Sequence, residues 1–112
     1  MEEGSIILTN LPQSDGSYKL RPVLILRALL TYNDFLVCGI STQLHQEIIN
    51  FDILVKANID NGLKANSLVR LSFLAVLSAK EVKKAIGKID ATAHKLLLER
   101  LSDYLLETEN NV

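Results

Sequence analysis

The side chains best suited to chemistry are polar residues at the ends of apolar, strand-like runs. They are Lys19, Arg21, Ser41, Thr42, Gln43, Ser67 and Arg70. A guanidinium is planar and can donate to two phosphate oxygens at once, and hydroxyl groups can add further hydrogen bonds. Pro22 favours an extended conformation at Arg21, which fixes where that side chain leaves the sheet. On the residues alone, the pattern indicates an anion site and leaves open a purely structural role for each member.

Other kinds of site have no support in the sequence. There is no glycine-rich phosphate loop and no Cys/His metal spacing, so we expect no metal and no cofactor. His45 and His94 are far apart in sequence and are expected at the surface. Cys38 lies in an apolar run, which predicts a buried, inert thiol.

Size and charge set the limits of the interpretation. The 112 residues are 48% apolar and 22% charged, which predicts one folded domain spanning residues 1–112. The net charge is −1, although residues 51–100 carry 9 basic and 5 acidic side chains. This distribution permits a nucleic-acid partner without indicating one.

The chain shows no sign of a membrane or export segment. Its Met-Glu-Glu-Gly start is acidic where a signal peptide is basic. The longest apolar stretch, residues 23–30, is interrupted by Arg27 and is far shorter than the roughly 20 residues that span a bilayer. We therefore expect a soluble, cytoplasmic protein.

The elements that position the polar residues are predicted to be mostly strands. Apolar runs and period-2 alternation indicate strands at residues 5–9, 22–26, 35–40, 49–55 and 67–77. In residues 49–55 the apolar side chains alternate with Asn50 and Asp52, which are expected on the solvent face. Turns are expected at residues 12–17 and at Asn61-Gly62.

The last third is predicted to be helical. Ser78-Ala79-Lys80-Glu81 has the form of a capping box and predicts a helix ending at Gly87. Asp90 is the expected N-cap of a final helix, whose apolar stripe should pack on the domain's own core. The stripe consists of Ala93, Leu96, Leu97, Leu101, Tyr104 and Leu105. Short strands that close on themselves would form a mainly β small barrel without exposed edges.

Five segments also resemble, in order, the motifs of one protein family. They are Gly4-Ser5-Ile6-Ile7-Leu8, Lys19-Leu20-Arg21-Pro22-Val23-Leu24-Ile25-Leu26, Cys38-Gly39-Ile40-Ser41-Thr42-Gln43, Gly62-Leu63-Lys64-Ala65-Asn66-Ser67-Leu68-Val69-Arg70 and Ile86-Gly87-Lys88-Ile89. The chain resembles the PemK/MazF toxin family from about residue 3 to residue 106. The resemblance implies an SH3-like barrel with a C-terminal helix, a homodimer, and a cognate antitoxin as partner.

The activity implied by this resemblance is metal-independent, sequence-selective cleavage of single-stranded RNA. In that reaction the ribose 2′-hydroxyl attacks the adjacent phosphorus and a cyclic phosphate forms. By their match to the motifs, Arg21 would act as acid or phosphate stabiliser, Ser41 would orient the phosphate, and Arg70 would be a further catalytic residue. Residues implied to line the RNA groove are Lys19, Thr42, Gln43 and Ser67.

The chain departs from the family pattern in its acidic residues. Ser5 and Ser72 stand where members carry acids, and the loop of residues 11–20 lacks a glutamate-rich form, so only Asp15 or Arg21 remains as a candidate base. Two rival interpretations stay open: a catalytically degenerate member that binds an antitoxin, and a gyrase-binding toxin resembling CcdB. In the CcdB-like case the C-terminal helix, and not Arg21, would carry the function.

Overall fold

The fold is one curled antiparallel sheet with a helix at its C-terminal end. A computed structural model of the protein describes residues 1–30 and 33–107. Its strands are β1 Ser5–Pro12, β2 Tyr18–Ala28, β3 Asp34–Ser41, β4 Ile53–Val55, β5 Ser67–Ser78 and β6 Val82–Lys88, followed by helix α1 Ala91–Leu106. The strand order is β4-β5-β3-β2-β1-β6, with every neighbouring pair antiparallel. The predicted mainly β, barrel-like class with a C-terminal helix is confirmed.

The sheet buries apolar side chains on both faces. Along β2, Leu24 and Leu26 belong to one cluster, whereas Val23 and Ile25 belong to the other, as strand alternation requires. The first cluster contains Ile6, Leu24, Leu26, Cys38, Ile40, Val69, Leu71, Ile89, Leu97 and Leu101. The second contains Ile7, Val23, Ile25, Val37 and Leu77. Because Leu97 and Leu101 come from α1, the helix covers the face of the first cluster.

Helix α1 begins where the sequence predicts. The Asp90 carboxylate accepts hydrogen bonds from the backbone N–H groups of Thr92 and Ala93, at 3.1 and 3.2 Å. Of the predicted apolar stripe, Leu97 and Leu101 are buried. Tyr104 and Leu105, one turn further on, are 59% and 70% exposed. The helix therefore packs on the core through its first three turns, and the end of its stripe remains uncovered.

The predicted helix over residues 78–87 is wrong. The capping box itself exists, since the Ser78 N–H donates to Glu81 Oε1 at 3.0 Å and the Ser78 hydroxyl accepts from Lys80 N–H at 3.3 Å. It caps a single 3₁₀ turn, Ala79–Glu81, after which β6 pairs with β1. A capping box satisfies only the first turn of a helix, so the pairing with β1 determines the conformation of the residues after that turn.

The predicted strand over residues 49–55 is mostly wrong as well. Only Ile53–Val55 forms a strand, because residues 48–52 turn, with Asn50 at φ +64°. Asp52, expected on the solvent face, is 1% exposed. Its carboxylate accepts from the Ile48 N–H at 3.0 Å and from the Ser72 N–H at 3.3 Å. These bonds hold the loop against β5 and account for the break in the alternation.

The loop between β4 and β5 closes the barrel against β6. Asn61 is buried and its side chain bonds to the backbone of Asn58, Leu63 and Lys56, which locks the loop shape. The expected turn at Asn61-Gly62 is present, with Gly62 at φ +70°. A Cβ on Gly62 would lie 2.0 Å from the Ile86 carbonyl oxygen, and one on Gly87 would lie 2.3 Å from the Asn61 carbonyl carbon. The two backbones touch because neither glycine carries a side chain.

We expect Gly62→Ala to destabilise the protein more than Gly16→Ala, its matched control. Both glycines have positive φ, +70° and +88°, but a Cβ on Gly16 would meet nothing within 4 Å. Gly16→Ala should reduce the free energy of unfolding by about 1 kcal/mol through backbone strain alone. Gly62→Ala should reduce it by about 2 kcal/mol more, because the added Cβ overlaps the β6 backbone. Urea unfolding measures both, and equal losses would contradict the closing contact.

Candidate functional site

A groove of about 320 Å³ lies where the β1–β2 hairpin, the end of β3 and a bend in β5 meet. Its lining brings together five of the seven candidate residues. The lining residues are Leu11, Pro12, Gln13, Ser14, Arg21, Gly39, Ile40, Ser41, Thr42, Gln43, Arg70 and Phe73. Two guanidiniums and a row of hydroxyl and amide groups thus share one concave surface.

The pairing of β2 with β3 positions Arg21 and Ser41. Val23 pairs with Gly39, and continuing that antiparallel register by two residues places Arg21 level with Ser41. Arg21 lies two residues from Val23 on β2, and Ser41 lies four residues from Val37 on β3, so both share the sheet face of the second cluster. Their side chains therefore leave the sheet on the face opposite helix α1. The helix therefore leaves this groove uncovered.

An irregularity in β5 positions Arg70. Cys38 pairs with Leu74, but the next residue of β3, Gly39, pairs with Arg70, so residues 71–73 have no partners in the register. This three-residue bulge bends β5. The bend brings Arg70 opposite Gly39 and therefore into the groove that Arg21 also lines.

Both guanidiniums keep donors available for a ligand. Arg70 Nη1 donates to Gln46 Oε1 at 3.2 Å, while Arg70 Nε is buried and has no hydrogen-bond partner within residues 1–30 and 33–107. Arg21 Nη2 makes a long contact of 3.4 Å with Gln13 Oε1. An unsatisfied buried donor is costly. An anion in the groove would accept from the guanidinium N–H groups that line it, whereas Arg70 Nε, being buried, is out of its reach.

The Ser41 hydroxyl is oriented by the turn that comes after it. Ser41 Oγ accepts from the Gln43 N–H at 3.0 Å, which leaves its own hydrogen free to donate into the groove. Thr42 and Gln43 are exposed at the rim. These three consecutive residues form one polar wall of the groove.

Two of the expected RNA contacts lie elsewhere. Lys19 is exposed on β2, two residues before Arg21, but it does not line the groove. Ser67 is only 3% exposed, and its hydroxyl donates to the Ala65 carbonyl at 2.8 Å. Ser67 points into the fold, so its position gives no support to an RNA contact.

No carboxylate and no imidazole line the groove within the described part of the chain. Asp15 lies in the β1–β2 turn, where hydrogen bonds from the Ser17 hydroxyl and N–H lower the pKa of its carboxyl and weaken it as a base. Ser5 is buried and accepts from the Glu2 N–H, and Ser72 faces Asp52 on the other side of β5. Within the described residues, the groove lining therefore offers no carboxylate or imidazole that could accept a proton.

The cysteine and the two histidines lie outside the groove lining. Cys38 is 0% exposed, and burial raises the pKa of its thiol, as expected for an inert cysteine. His94 is half-buried, with Nε2 2.9 Å from the Leu26 carbonyl oxygen, so the expectation of a simple surface residue is wrong for it. His45 is exposed in the short 3₁₀ turn after Gln43. Within the described residues, no three metal-ligating side chains come together.

Sequence reasoning missed the groove residues Gln13 and Phe73, and also Gln46, which lies outside the lining but bonds to Arg70. Gln13 and Gln46 are the hydrogen-bond partners of the two arginines. No motif signals them, because their role depends on how the hairpin and the 3₁₀ turn fold over the groove. Phe73 is counted in the sequence as part of an alternating strand, and only the β5 bulge turns it into the groove.

A second, larger groove of about 890 Å³ lies on the helix side of the sheet. It runs between the exposed end of α1 and the loop of residues 48–51, and it is lined mainly by apolar side chains. Its arginine, Arg100, is already bonded to the carbonyl oxygens of Asp52 and Phe51, at 2.9 and 3.4 Å. This surface has the form of a contact region and lacks the free donors of the first groove.

The fold and the smaller groove define a curled-sheet domain with a groove lined by two arginines on the face opposite its helix. Residues 2–105 match the family model described as "PemK-like, MazF-like toxin of type II toxin-antitoxin system". The chain belongs to this family of toxins, as the sequence motifs suggested. No curated protein matches the chain.

Two solved structures share the fold. One is an "Endoribonuclease in complex with its cognate antitoxin from Mycobacterial species", with 16% identity, a TM-score of 0.70, and coverage of 97% of this chain and 99% of that chain. The other is the "Mycobacterium tuberculosis toxin MazF-mt6", with 24% identity, a TM-score of 0.66, and coverage of 90% and 95%. At these identities the likeness establishes the architecture. None of the helices within residues 1–30 and 33–107 has the length and apolar content needed to cross a bilayer.

Proposed function

We propose that this toxin is a metal-independent endoribonuclease that cleaves single-stranded RNA in the groove of Arg21, Ser41 and Arg70. The observation that carries the proposal is the convergence of two guanidiniums and an oriented hydroxyl on one open groove. RNA offers an anionic phosphate and, beside it, its own nucleophile in the 2′-hydroxyl. The protein then needs only to hold and stabilise the reacting phosphate.

The mechanism uses only the groups present in the groove and in the RNA. The 2′-oxygen bonds to phosphorus, the bond to the 5′-oxygen breaks, and the products are a 2′,3′-cyclic phosphate and a 5′-hydroxyl end. Negative charge grows on the phosphate oxygens in the transition state, where Arg21 and Arg70 stabilise it and Ser41 donates a hydrogen bond. A guanidinium keeps its protons in proteins. We therefore assign both arginines to charge stabilisation and the proton transfers to water in the open groove.

Arg21→Ala should lower the rate of RNA cleavage by about 100-fold or more, since each aimed donor in such a site contributes on that order. The measurement is incubation of a long single-stranded RNA in EDTA, with mapping of the cut ends. Arg27→Ala is the matched control, because Arg27 is an exposed arginine on the same strand that bonds to Glu3 outside the groove. It should cut at the wild-type rate.

Discrete cuts that persist in Arg21→Ala would sink the proposed mechanism. Intact RNA with folded wild-type protein would favour the binding-only or gyrase-binding interpretations, and the lack of a groove carboxylate within the described residues is the observation that supports the binding-only one. The dependence of the wild-type rate on pH is a further check. It should show no inflection near the ordinary pKa of carboxylates, about 4, or of imidazole, about 6.5.

The cognate antitoxin is the second proposed ligand of this groove. A groove lined by two guanidiniums can receive carboxylates as well as phosphates, because both present paired oxygens. An acidic antitoxin segment should therefore bind more weakly to Arg21→Ala than to Arg27→Ala, by about tenfold for one lost charge-assisted pair. Titration calorimetry measures it, and equal affinities would place the antitoxin elsewhere.

The toxin is also proposed to form a homodimer. Exposed apolar side chains near Arg21 and near Ser67 support this, with Tyr18 at 70%, Leu20 at 49% and Leu54 at 52% exposed. Light scattering at micromolar concentration should give twice the chain mass of 12.5 kDa. A monomer under those conditions would refute the dimer and leave the groove assignment intact.

A further inference from the structure

Phe73 is the one aromatic side chain in the groove lining of the described residues. It is 43% exposed, although exposure alone decides nothing, since many apolar side chains of this protein are exposed. What distinguishes it is its place, on the same concave surface as Arg21, Ser41 and Arg70. An aromatic face beside two guanidiniums is the combination that single-stranded nucleic acids occupy, with phosphates on the charges and bases on the ring.

The ring is held in the groove by the fold. Residues 71–73 form the unpaired bulge of β5, which turns Phe73 towards β3. There it lies against Gly39, so closely that a Cβ at Gly39 would be 3.0 Å from Phe73 Cδ1 and 3.2 Å from Cγ. Any side chain at Gly39 would push the ring away. One part of the ring therefore rests on the β3 backbone, and the exposed part faces the groove.

We propose that Phe73 is a stacking platform for a nucleobase of single-stranded RNA, beside the phosphate held by Arg21 and Arg70. The inference rests on the proposed function and adds to it the reason for single-strand selection. In a duplex, each base face is covered by its neighbours, whereas a single strand can turn one base onto a protein ring. Stacking tolerates every base, so Phe73 contributes affinity and strand selection, and the polar wall is left to read sequence.

The test measures binding with a probe that cannot be cut. It is a labelled RNA oligonucleotide spanning a mapped cleavage site, with a single 2′-deoxy substitution that removes the attacking hydroxyl. A second set carries an abasic residue at one position at a time around that site. For wild-type protein, one abasic position should weaken binding by at least about fivefold, the low end of the loss when one base–aromatic stack is removed.

The variants are Phe73→Leu, which removes the ring, and Phe73→Tyr, which keeps it. Phe73→Leu should bind the intact probe at least about fivefold more weakly than wild type does, and should bind the intact and abasic probes equally. Phe73→Tyr should retain the wild-type discrimination. In cleavage assays Phe73→Leu should raise KM more than it lowers kcat. A Phe73→Leu protein that still distinguishes the abasic position would overturn the proposal.

Tryptophan fluorescence tests the stacking contact directly and does not depend on a loss of binding that a folding defect could also cause. The protein contains no tryptophan, so Phe73→Trp places its only tryptophan in the groove, where it can be excited selectively over the three tyrosines. RNA should quench its emission, and Val76→Trp, a 60% exposed position on the same strand outside the groove lining, should be unaffected. Equal quenching in both, or none in Phe73→Trp, would count against stacking.

The outcomes separate this inference from the proposed function. If wild-type protein cleaves RNA and needs Arg21, but Phe73→Leu keeps the wild-type RNA affinity, the ribonuclease assignment is supported and the stacking proposal is wrong. If folded wild-type protein neither binds nor cleaves the RNA, both fall. If instead Phe73→Leu or Phe73→Trp changes only the mass seen by light scattering, the ring serves a contact between protein chains and the proposal is wrong.

Discussion

The structure depends on one backbone contact, between the loop that precedes β5 and the strand β6. Gly62 and Gly87 meet there without side chains, and Asn61 holds the loop in shape with three side-chain bonds to the backbone. Because β6 pairs with β1 and β1 pairs with β2, this contact ties the two ends of the curled sheet together. The groove sits on β2, β3 and β5, which pair directly with one another in the middle of the sheet that this contact closes. The two motifs that contain these glycines, far apart in sequence, therefore form one structural feature.

A second constraint is the bulge at residues 71–73, which places groove residues on one face of β5 and a core residue on the other. It brings Arg70 opposite Gly39 and turns Phe73 over the same residue, while Leu71 stays in the first cluster with α1. Alternation along β2 and β3 sends Arg21 and Ser41 to the face away from the helix. The helix can thus stabilise the sheet from one side without blocking the groove on the other. The exposed end of α1 and the larger apolar groove beside it are left for contacts of a different kind.

The parts of the fold that the sequence predicts are those determined by local pattern. The apolar cores of β2, β3 and β5, the turn at Gly62 and the N-cap Asp90 are consequences of alternation and side-chain chemistry. Residues 78–87 and 49–52 are mispredicted because tertiary pairing decides them: β6 gains β1 as a partner, and Asp52 gains buried N–H donors. For the groove, residue types alone suggested an anion site, and it was the family resemblance that selected Arg21, Ser41 and Arg70. The inward position of Ser67 agrees with strand alternation, since it shares the face of the buried Val69, while Arg70 points the other way.

The residues that line the groove suggest how an antitoxin would inhibit such a toxin. Two guanidiniums and no lining carboxylate give it an uncompensated positive character within the described residues. Arg70 bonds to Gln46 through Nη1, and the guanidinium groups of Arg70 and Arg21 both line the groove. A phosphate of RNA and a carboxylate of an antitoxin would satisfy the same donors, so the two proposed ligands exclude each other by chemistry as well as by volume. Phe73, in contrast, would favour only one of the two ligands, because a base stacks on its ring whereas a carboxylate gains nothing from it. Under the proposed function, the arginines make inhibition and catalysis compete, and Phe73 biases the groove towards RNA.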